Sequence, residues 1–237
     1  KGFGDPVLDG APGEVRGLEI VDLYDGTQAD TDKVRDLPEL PETSDELRRI
    51  AKYPNSSEDD LYLRDRATES ELKSADLSNS RVLAFATHGL IGGKLSGPSE
   101  SALVLTPPEE ASELDDGLLK ASEVAQLKLN ADLVLLSACN TASGDKLGAE
   151  GLSGLARAFI YAGARSLLVS HWSVDSGAAT KLTTGLFETL DANPEMGRAE
   201  ALQSSMMSLA SDDENPRYSH PAFWAPFSLI GEGAAVN

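Results

Sequence analysis

Three uninterrupted apolar segments stand out in the pattern of hydrophobic and polar positions along the chain. They predict buried strands over residues 81–87, 132–138 and 165–171, because a strand covered on both faces of a parallel sheet has no polar side. Three further stretches have apolar residues at helical spacing and predict helices: 152–160, 179–190 and 198–210. A final strand is predicted over 227–230. Strands that alternate with helices indicate an α/β fold with a mostly parallel sheet and right-handed crossovers.

The pattern at the start of the chain is weaker. Residues 1–42 are broken by glycine and proline and are expected to be irregular, apart from one strand within 15–23. We therefore predict a single domain over 1–237, with its core over 43–231. The chain opens on a lysine and not a methionine, which we interpret as the C-terminal part of a longer protein.

Two capping boxes predict helix starts in the region before the first apolar segment. Thr43 with Glu46 predicts a helix over 44–53, and Thr68 with Glu71 opens a second, short helix. In such a box the hydroxyl accepts from a backbone N–H and the carboxylate reaches back to the cap.

Two short apolar pieces, 102–105 and 117–119, flank an acidic turn over 109–116 and predict a hairpin-like excursion. The acidic turn is interpreted as a solvated loop and not as a calcium site. Gly163 is placed to end the helix that precedes the third predicted strand.

The composition of the chain argues against several classes of function. The chain has 237 residues, 41% of them hydrophobic, with 20 basic and 39 acidic residues and a formal net charge of −19. Such acidity argues against direct nucleic-acid binding, which depends on clustered Lys and Arg. No segment is apolar enough to predict a membrane span and no signal peptide is evident, so we expect a cytoplasmic chain. Three histidines and one cysteine lack the spacing of a zinc site, so neither a metal nor another cofactor is predicted.

The candidate chemistry lies at the ends of two predicted strands. His88 follows the first and Cys139, the single cysteine, follows the second. Carboxyl ends of parallel strands share one edge of a sheet, where ligands bind. A thiol and an imidazole at that edge make a nucleophile and its base. The N–H of Gly89 is expected to form an oxyanion hole with the N–H of Cys139.

Other interpretations of these residues stay open at the sequence level. A lone cysteine after an apolar strand is often only a small buried hydrophobic residue. His171 also follows a predicted strand and is the rival base. His220 precedes a proline in an aromatic stretch, which favours a structural role.

The motifs around these positions resemble the CHAT family of caspase-like peptidases, which are related to separase and often attached to tetratricopeptide repeats. The resemblance covers about residues 38–231. It is carried by five segments: 85–89, 136–141, 151–159, 162–166 and 220–227. It implies a caspase-like three-layer sandwich, with a mostly parallel central sheet flanked by helices. It also implies that His88 is the catalytic histidine and Cys139 the nucleophile.

The resemblance further implies a substrate pocket after the third strand. In separase-like enzymes a similar segment with a tryptophan carries an aspartate that binds a P1 arginine, which here would place Asp175 and Trp172 in the substrate-binding site. The alternative for Asp175 is to cap a helix that starts near Ser176. The alternative for the pocket is an aliphatic P1 residue.

Together these features predict a cysteine endopeptidase that cleaves a protein substrate through a Cys139–His88 dyad and an acyl-enzyme. Glycines in the loops 92–100 and 141–150 suggest that both are mobile next to the site. They suggest gating by an activating partner or a fused repeat domain, as in bacterial defence or regulated proteolysis. The alternative is an inactive module of the same fold that works by binding.

Overall fold

The strands and helices follow the chain in an alternating order. The computed structural model describes residues 1–13, 17–18, 23–25, 28–53, 56–90, 100–138 and 154–234. Within these residues the strands are β1 (Gly2–Gly4), β2 (Gly17–Leu18), β3 (Tyr24–Asp25), β4 (Gln28–Ala29), β5 (Leu61–Leu63), β6 (Val82–Ala86), β7 (Gly89–Leu90), β8 (Ala102–Val104), β9 (Leu118–Lys120), β10 (Leu133–Ser137), β11 (Ser166–Ser170) and β12 (Phe227–Gly231). The α-helices are α1 (Thr31–Arg35), α2 (Glu42–Lys52), α3 (Glu69–Ser74), α4 (Ala121–Val124), α5 (Gly154–Ala162), α6 (Ser176–Ala192) and α7 (Arg198–Ala210).

The central sheet has the strand order β12-β11-β10-β6-β1-β5. Five of its strands run parallel, and β12 pairs antiparallel with β11 at one edge. The three long apolar segments form β6, β10 and β11, side by side. The prediction of an α/β fold with a mostly parallel sheet is therefore confirmed, as are the hairpin of β8 with β9 and the final strand.

Helices cover both faces of this sheet, because its strands send alternate side chains to opposite sides. In β6, Leu83 and Phe85 pack on one face against α5, where the Phe85 ring lies 5.3 Å from that of Phe159. Ala84 and Ala86 face the other side, with α2, α6 and α7. The result is the three-layer arrangement that the family resemblance implies.

The segment 1–42 is not irregular, and this expectation is wrong. Its residues Gly2–Gly4 form β1, which lies between β6 and β5 inside the central sheet. A Cβ at Gly4 would lie 2.4 Å from the Ala86 carbonyl oxygen, so the position has no room for a side chain. The close packing that requires glycine here also removes the apolar pattern by which a strand is recognised. The strand predicted within 15–23 contains β2, and its other positions up to residue 22 lie outside the described residues.

The capping box predicted at Thr43 is also wrong. Helix α2 begins at Glu42, so Thr43 lies inside it. The Thr43 hydroxyl donates to the Leu40 carbonyl at 2.7 Å, while Glu46 accepts from the Thr183 hydroxyl at 2.7 Å on α6. Both side chains are buried, and the oxygens that a cap would use accept from distant segments instead, since the Thr43 hydroxyl oxygen accepts from the Asp5 N–H at 3.0 Å.

The second predicted capping box is confirmed only for its hydroxyl half, since the Glu71 carboxylate makes no bond back to the Thr68 N–H. The Thr68 hydroxyl accepts from the Glu71 N–H at 3.1 Å and opens α3. The glycine predicted to end a helix is confirmed as well, since Gly163 follows α5 with a φ of +116°, a conformation that favours glycine.

A second sheet, of order β2-β7-β8-β9, packs beside the first. Its strand β7 continues directly from β6 through only two residues, Thr87 and His88. The Thr87 hydroxyl donates to the Val104 carbonyl at 2.6 Å, and the Val104 N–H donates to the His88 carbonyl at 3.0 Å. These two bonds to β8 fix the backbone at the point where the two sheets meet.

No helix among the described residues is both long and apolar enough to cross a bilayer.

Candidate active site

The register of β6 with β10 places the two candidate catalytic residues at equivalent positions after neighbouring strands. Ala86 pairs with Ser137 at the carboxyl ends of these strands. His88 follows Ala86 by two residues, and Cys139 follows Ser137 by two residues. Cys139 itself lies outside the described residues, as do the 141–150 loop and all but the last residue of the 92–100 loop. The described chain reaches the buried Ala138, whose carbonyl accepts from the Ser170 hydroxyl at 2.9 Å.

His88 is held by a backbone carbonyl that lies 50 residues before it. Its Nε2 lies 2.8 Å from the Pro38 carbonyl oxygen, and the residue exposes none of its surface. A carbonyl can only accept, so this bond assigns the proton to Nε2. In the neutral ring, Nδ1 is then the basic nitrogen. A neutral imidazole of this tautomer is equipped to take a proton at Nδ1 while Pro38 keeps the ring oriented.

The N-terminal segment positions the Pro38 carbonyl. Gly10 and Pro38 form an isolated parallel bridge, in which the Gly10 N–H donates to the Leu37 carbonyl at 3.0 Å. The Glu39 N–H returns a bond to the Gly10 carbonyl at 3.3 Å. No orienting partner for His88 was predicted from the sequence, because a main-chain oxygen leaves no side-chain signal.

Gly89 lies in the middle of the second sheet, paired with Gly17 of β2 on one side and Leu103 of β8 on the other. The Val104 N–H bonds the His88 carbonyl, and backbone groups of successive strand residues turn to alternate sides. The Gly89 N–H is therefore directed away from β8, toward the side of β2. Its role as an oxyanion donor stays a prediction and requires this N–H to reach the substrate from that side.

Asp175 is the N-cap of α6, as the alternative interpretation predicted. Its Oδ1 accepts from the Ala178 N–H at 2.8 Å and lies 3.4 Å from the Tyr218 hydroxyl. Its Oδ2 forms an ion pair with Arg217 at 2.9 Å, and its side chain is 18% exposed. The carboxylate is thus already engaged by a guanidinium of the same chain. Arg217 could not be predicted from the sequence, because it lies 42 residues further along the chain and carries no local signal.

Trp172 lies on the protein surface and contacts the segment that follows Arg217. It is 42% exposed, and its Nε1 donates to the Ala222 carbonyl at 3.3 Å. The Arg217 guanidinium lies over the rings of Tyr218 and Phe223, at 5.2 and 5.5 Å from their centroids. These contacts join the segment after β11 to the segment before β12. They form an aromatic and charged surface on the same side of the sheet as the strand ends.

The other two histidines make contacts of a different kind. The Nε2 of His171, the rival base, lies 3.0 Å from the Ser228 hydroxyl on β12, the edge strand. The Nδ1 of His220 accepts from the Ala222 N–H at 3.1 Å and caps a short 3₁₀ turn, which is the structural role predicted for it. Across the part of the chain that the structure describes, no three His, Cys, Asp or Glu side chains converge as a metal site would require.

A mostly parallel sheet covered by helices on both faces is the three-layer α/β architecture that caspase-like folds share. The comparisons agree with this class: the family model for the CHAT domain matches residues 13–232. The chain belongs to the CHAT family.

Two relatives are tetratricopeptide repeat protein 28 from Mus musculus and from Homo sapiens. The chain is 31% and 32% identical to them over 210 residues, an alignment that covers 72% of this chain and 8% of each relative. The chain thus spans less than a tenth of the length of these relatives.

Among solved structures, the crystal structure of the Arg specific cysteine proteinase gingipain R is similar to this chain, with a TM-score of 0.51 and 12% identity. The match covers 91% of this chain and 46% of that one. At this identity the similarity shows a shared caspase-like fold.

Proposed function

We propose that this domain is a caspase-like cysteine endopeptidase that acts through a Cys139–His88 dyad. The observation that carries the proposal is the bond between His88 Nε2 and the Pro38 carbonyl, at 2.8 Å. It leaves Nδ1 as the nitrogen able to accept a proton, on a strand whose register matches the strand that precedes Cys139. Membership in the CHAT family supports the same assignment.

In the proposed reaction, His88 Nδ1 accepts the proton of the Cys139 thiol and the sulfur attacks the scissile carbonyl carbon. The backbone N–H groups of Cys139 and Gly89 stabilise the oxyanion of the tetrahedral intermediate. As the C–N bond breaks, Nδ1–H protonates the leaving amine and the acyl-enzyme remains. A water molecule, deprotonated by Nδ1, then attacks the thioester. The C–S bond breaks, the acid product leaves, and the sulfur recovers its proton from the imidazolium.

We propose that the site is closed in this conformation and opens on activation. The whole of His88 is inaccessible to solvent, whereas its Nδ1 must meet both the thiol and the leaving amine of a substrate. A fused repeat domain or a partner protein is the proposed trigger. The relatives support this, since their names describe tetratricopeptide repeat proteins far longer than this chain.

A basic P1 residue remains the proposed specificity, with one added condition. Asp175 already binds Arg217, so a P1 arginine must displace that guanidinium to reach the carboxylate. The ion pair is accessible from solvent because the Arg217 side chain is 61% exposed, so such an exchange is feasible. An aliphatic P1 residue would need no exchange and is the competing specificity.

The test is intact-mass labelling with peptidyl electrophiles that carry Arg, Leu or Asp at P1. In the activated, open form of the protein we expect one adduct with the wild-type sequence, lost in Cys139→Ala and reduced at least about a hundredfold in rate in His88→Ala. His171→Ala is the matched control and should label like wild type. Wild-type labelling rates in His88→Ala would refute the dyad.

The second candidate is a binding module without activity, which the complete burial of His88 favours. The same electrophiles distinguish the two functions when a longer protein that includes the sequence preceding Lys1 is labelled. An adduct in the longer protein alone supports a gated enzyme. No adduct in either folded protein supports the binding module.

A further inference from the structure

An open cavity of about 590 Å³ lies at the amino ends of the central strands. Its lining includes Gly2, Leu61 and Val82, which are the first residues of β1, β5 and β6. His88 follows Val82 by six residues, about 20 Å at the rise of a strand. The cavity is therefore at the opposite end of the sheet from the candidate active site, and its volume is in the usual range of ligand sites.

One wall of this cavity is apolar. Helix α2 contributes Leu47 and Ile50, and α6 contributes Phe187 and Leu190. Leu47 and Ile50 are buried against the sheet, and Leu190 is partly buried beside them. This wall suits an aliphatic group and offers it no hydrogen bond.

The lining also includes Arg198, which is only 8% exposed. Its Nη1 donates to the Glu232 carbonyl at 3.3 Å. Among the described residues no carboxylate comes within ion-pair distance of this guanidinium. A guanidinium has five N–H donors in a fork that matches a carboxylate, so most of its donors can still bind a ligand.

The other charged groups of the cavity are already balanced or lie at its rim. The Lys1 ammonium pairs with Asp60 at 2.9 Å. Arg81 pairs with Asp132. The carboxylate of Asp191 is on an exposed residue at the edge. Among the described residues, Arg198 is thus the buried guanidinium of the cavity without a carboxylate in ion-pair contact, because Asp132, whose charge acts on it, is shared with Arg81 and Arg165. Burial accordingly lowers the pKa of its guanidinium below the ordinary value.

Arg198 is also the first residue of α7, whose N-cap is Gly197 and has no capping side chain. The Ala199 N–H of this first turn donates to the Gly233 carbonyl at 3.1 Å, and the positive end of the helix dipole adds to the preference of the guanidinium for a negative charge.

We propose that this cavity binds a small aliphatic carboxylate, with the carboxylate on Arg198 and the tail along the wall formed by α2 and α6. The ligand neutralises a buried cation and buries apolar surface in the same step. The site is independent of the proposed peptidase chemistry, and binding is measured without reference to activity.

The experiment titrates three probes of equal chain length into the folded protein by calorimetry, below their micelle concentrations. We expect decanoate to bind at least about tenfold more tightly than decanol, because the bond to a buried guanidinium is charge-assisted. Decylammonium should bind more weakly than decanol. Equal binding of the three probes, or no saturable binding of decanoate, would overturn the proposal.

Two variants and a control complete the test. Arg198→Met should remove the preference for decanoate over decanol, whereas Arg157→Met, on the exposed face of α5, should keep it. Unchanged decanoate affinity in folded Arg198→Met would overturn the proposal. Circular dichroism shows whether Arg198→Met is folded. If it is not, Leu190→Trp replaces it in the test, because the larger side chain fills the cavity from the apolar wall and should abolish decanoate binding. Decanoate binding retained there would equally overturn it.

Discussion

Asp175 offers a way to separate a helix cap from a substrate-binding carboxylate. Asp175→Asn keeps an oxygen that can accept from the Ala178 N–H but removes the charge that Arg217 binds. Asp175→Ala removes both interactions. The difference in stability between the two variants therefore measures the helix cap. The difference between Asp175→Asn and wild type measures the contribution of the negative charge.

The magnitudes follow from the exposure of each contact. An N-cap contributes about 1 kcal/mol. The ion pair, with Arg217 61% exposed, contributes no more than about 0.5 kcal/mol. Asp175→Ala should lose about 1.5 kcal/mol and lower the melting temperature by roughly 3–6 °C for a domain of this size. Asp175→Asn should stay within roughly 2 °C of wild type.

The assay combines thermal unfolding with labelling by the electrophile that carries P1 Arg. If Asp175 selects a basic P1 residue, Asp175→Asn loses this labelling at near wild-type stability, and Arg217→Met labels faster than wild type because the carboxylate is vacant. Thr68→Ala, which removes the cap of α3 without an ion pair, is the control for stability. If Asp175→Asn and Asp175→Ala lower the melting temperature equally, Asp175 does not stabilise the protein mainly as the N-cap of α6.

Two further predictions concern the fold. Gly4→Ala should destabilise the protein by more than about 2 kcal/mol in chemical denaturation, since its Cβ would meet the Ala86 backbone oxygen at 2.4 Å. Gly2→Ala, whose Cβ would meet only side-chain carbons such as Leu61 Cδ2 at 2.9 Å, should cost clearly less, and equal losses would contradict this reasoning. Burial raises the pKa of the Glu69 carboxyl from 4.5 to about 7, so the folded state binds this proton more tightly than the unfolded chain. Relative to Glu69→Gln, wild type should therefore gain on the order of 3 kcal/mol as pH falls from 7 to 4.5, and a constant difference would contradict the pKa.

The sequence predicted the elements whose signal is local and long. Buried strands such as Val82–Ala86 and Leu133–Ser137 consist of consecutive apolar residues, and the helices that cover them repeat at helical spacing. Because parallel strands end at one edge, the same pattern also indicated where His88 lies. Strand β1 has three residues, two of them glycine, and gave no such signal.

The parts of the site that could not be predicted depend on contacts between distant segments. Pro38 acts through its carbonyl, which every residue possesses, and only the bridge to Gly10 places it beside His88. Arg217 reaches Asp175 because two loops at one edge of the sheet pack together. Glu46, predicted to cap a helix, instead accepts from Thr183 across two helices. In each case the role of the residue depends on a partner that is distant in the sequence, and the local sequence does not predict that partner.

The direct passage from β6 to β7 makes His88 part of two sheets at once. No loop separates them, so a rotation of the small sheet about this joint cannot be absorbed before it reaches the imidazole. Leu37, which precedes Pro38, packs in one buried cluster with Leu90 and Val104 of the small sheet, so the carbonyl that holds the ring and the backbone that carries it belong to the same packed unit. A ligand or domain that displaces β8 or β9 relative to β10 would therefore change the position of Nδ1 at the end of β10 while the bond to Pro38 is kept.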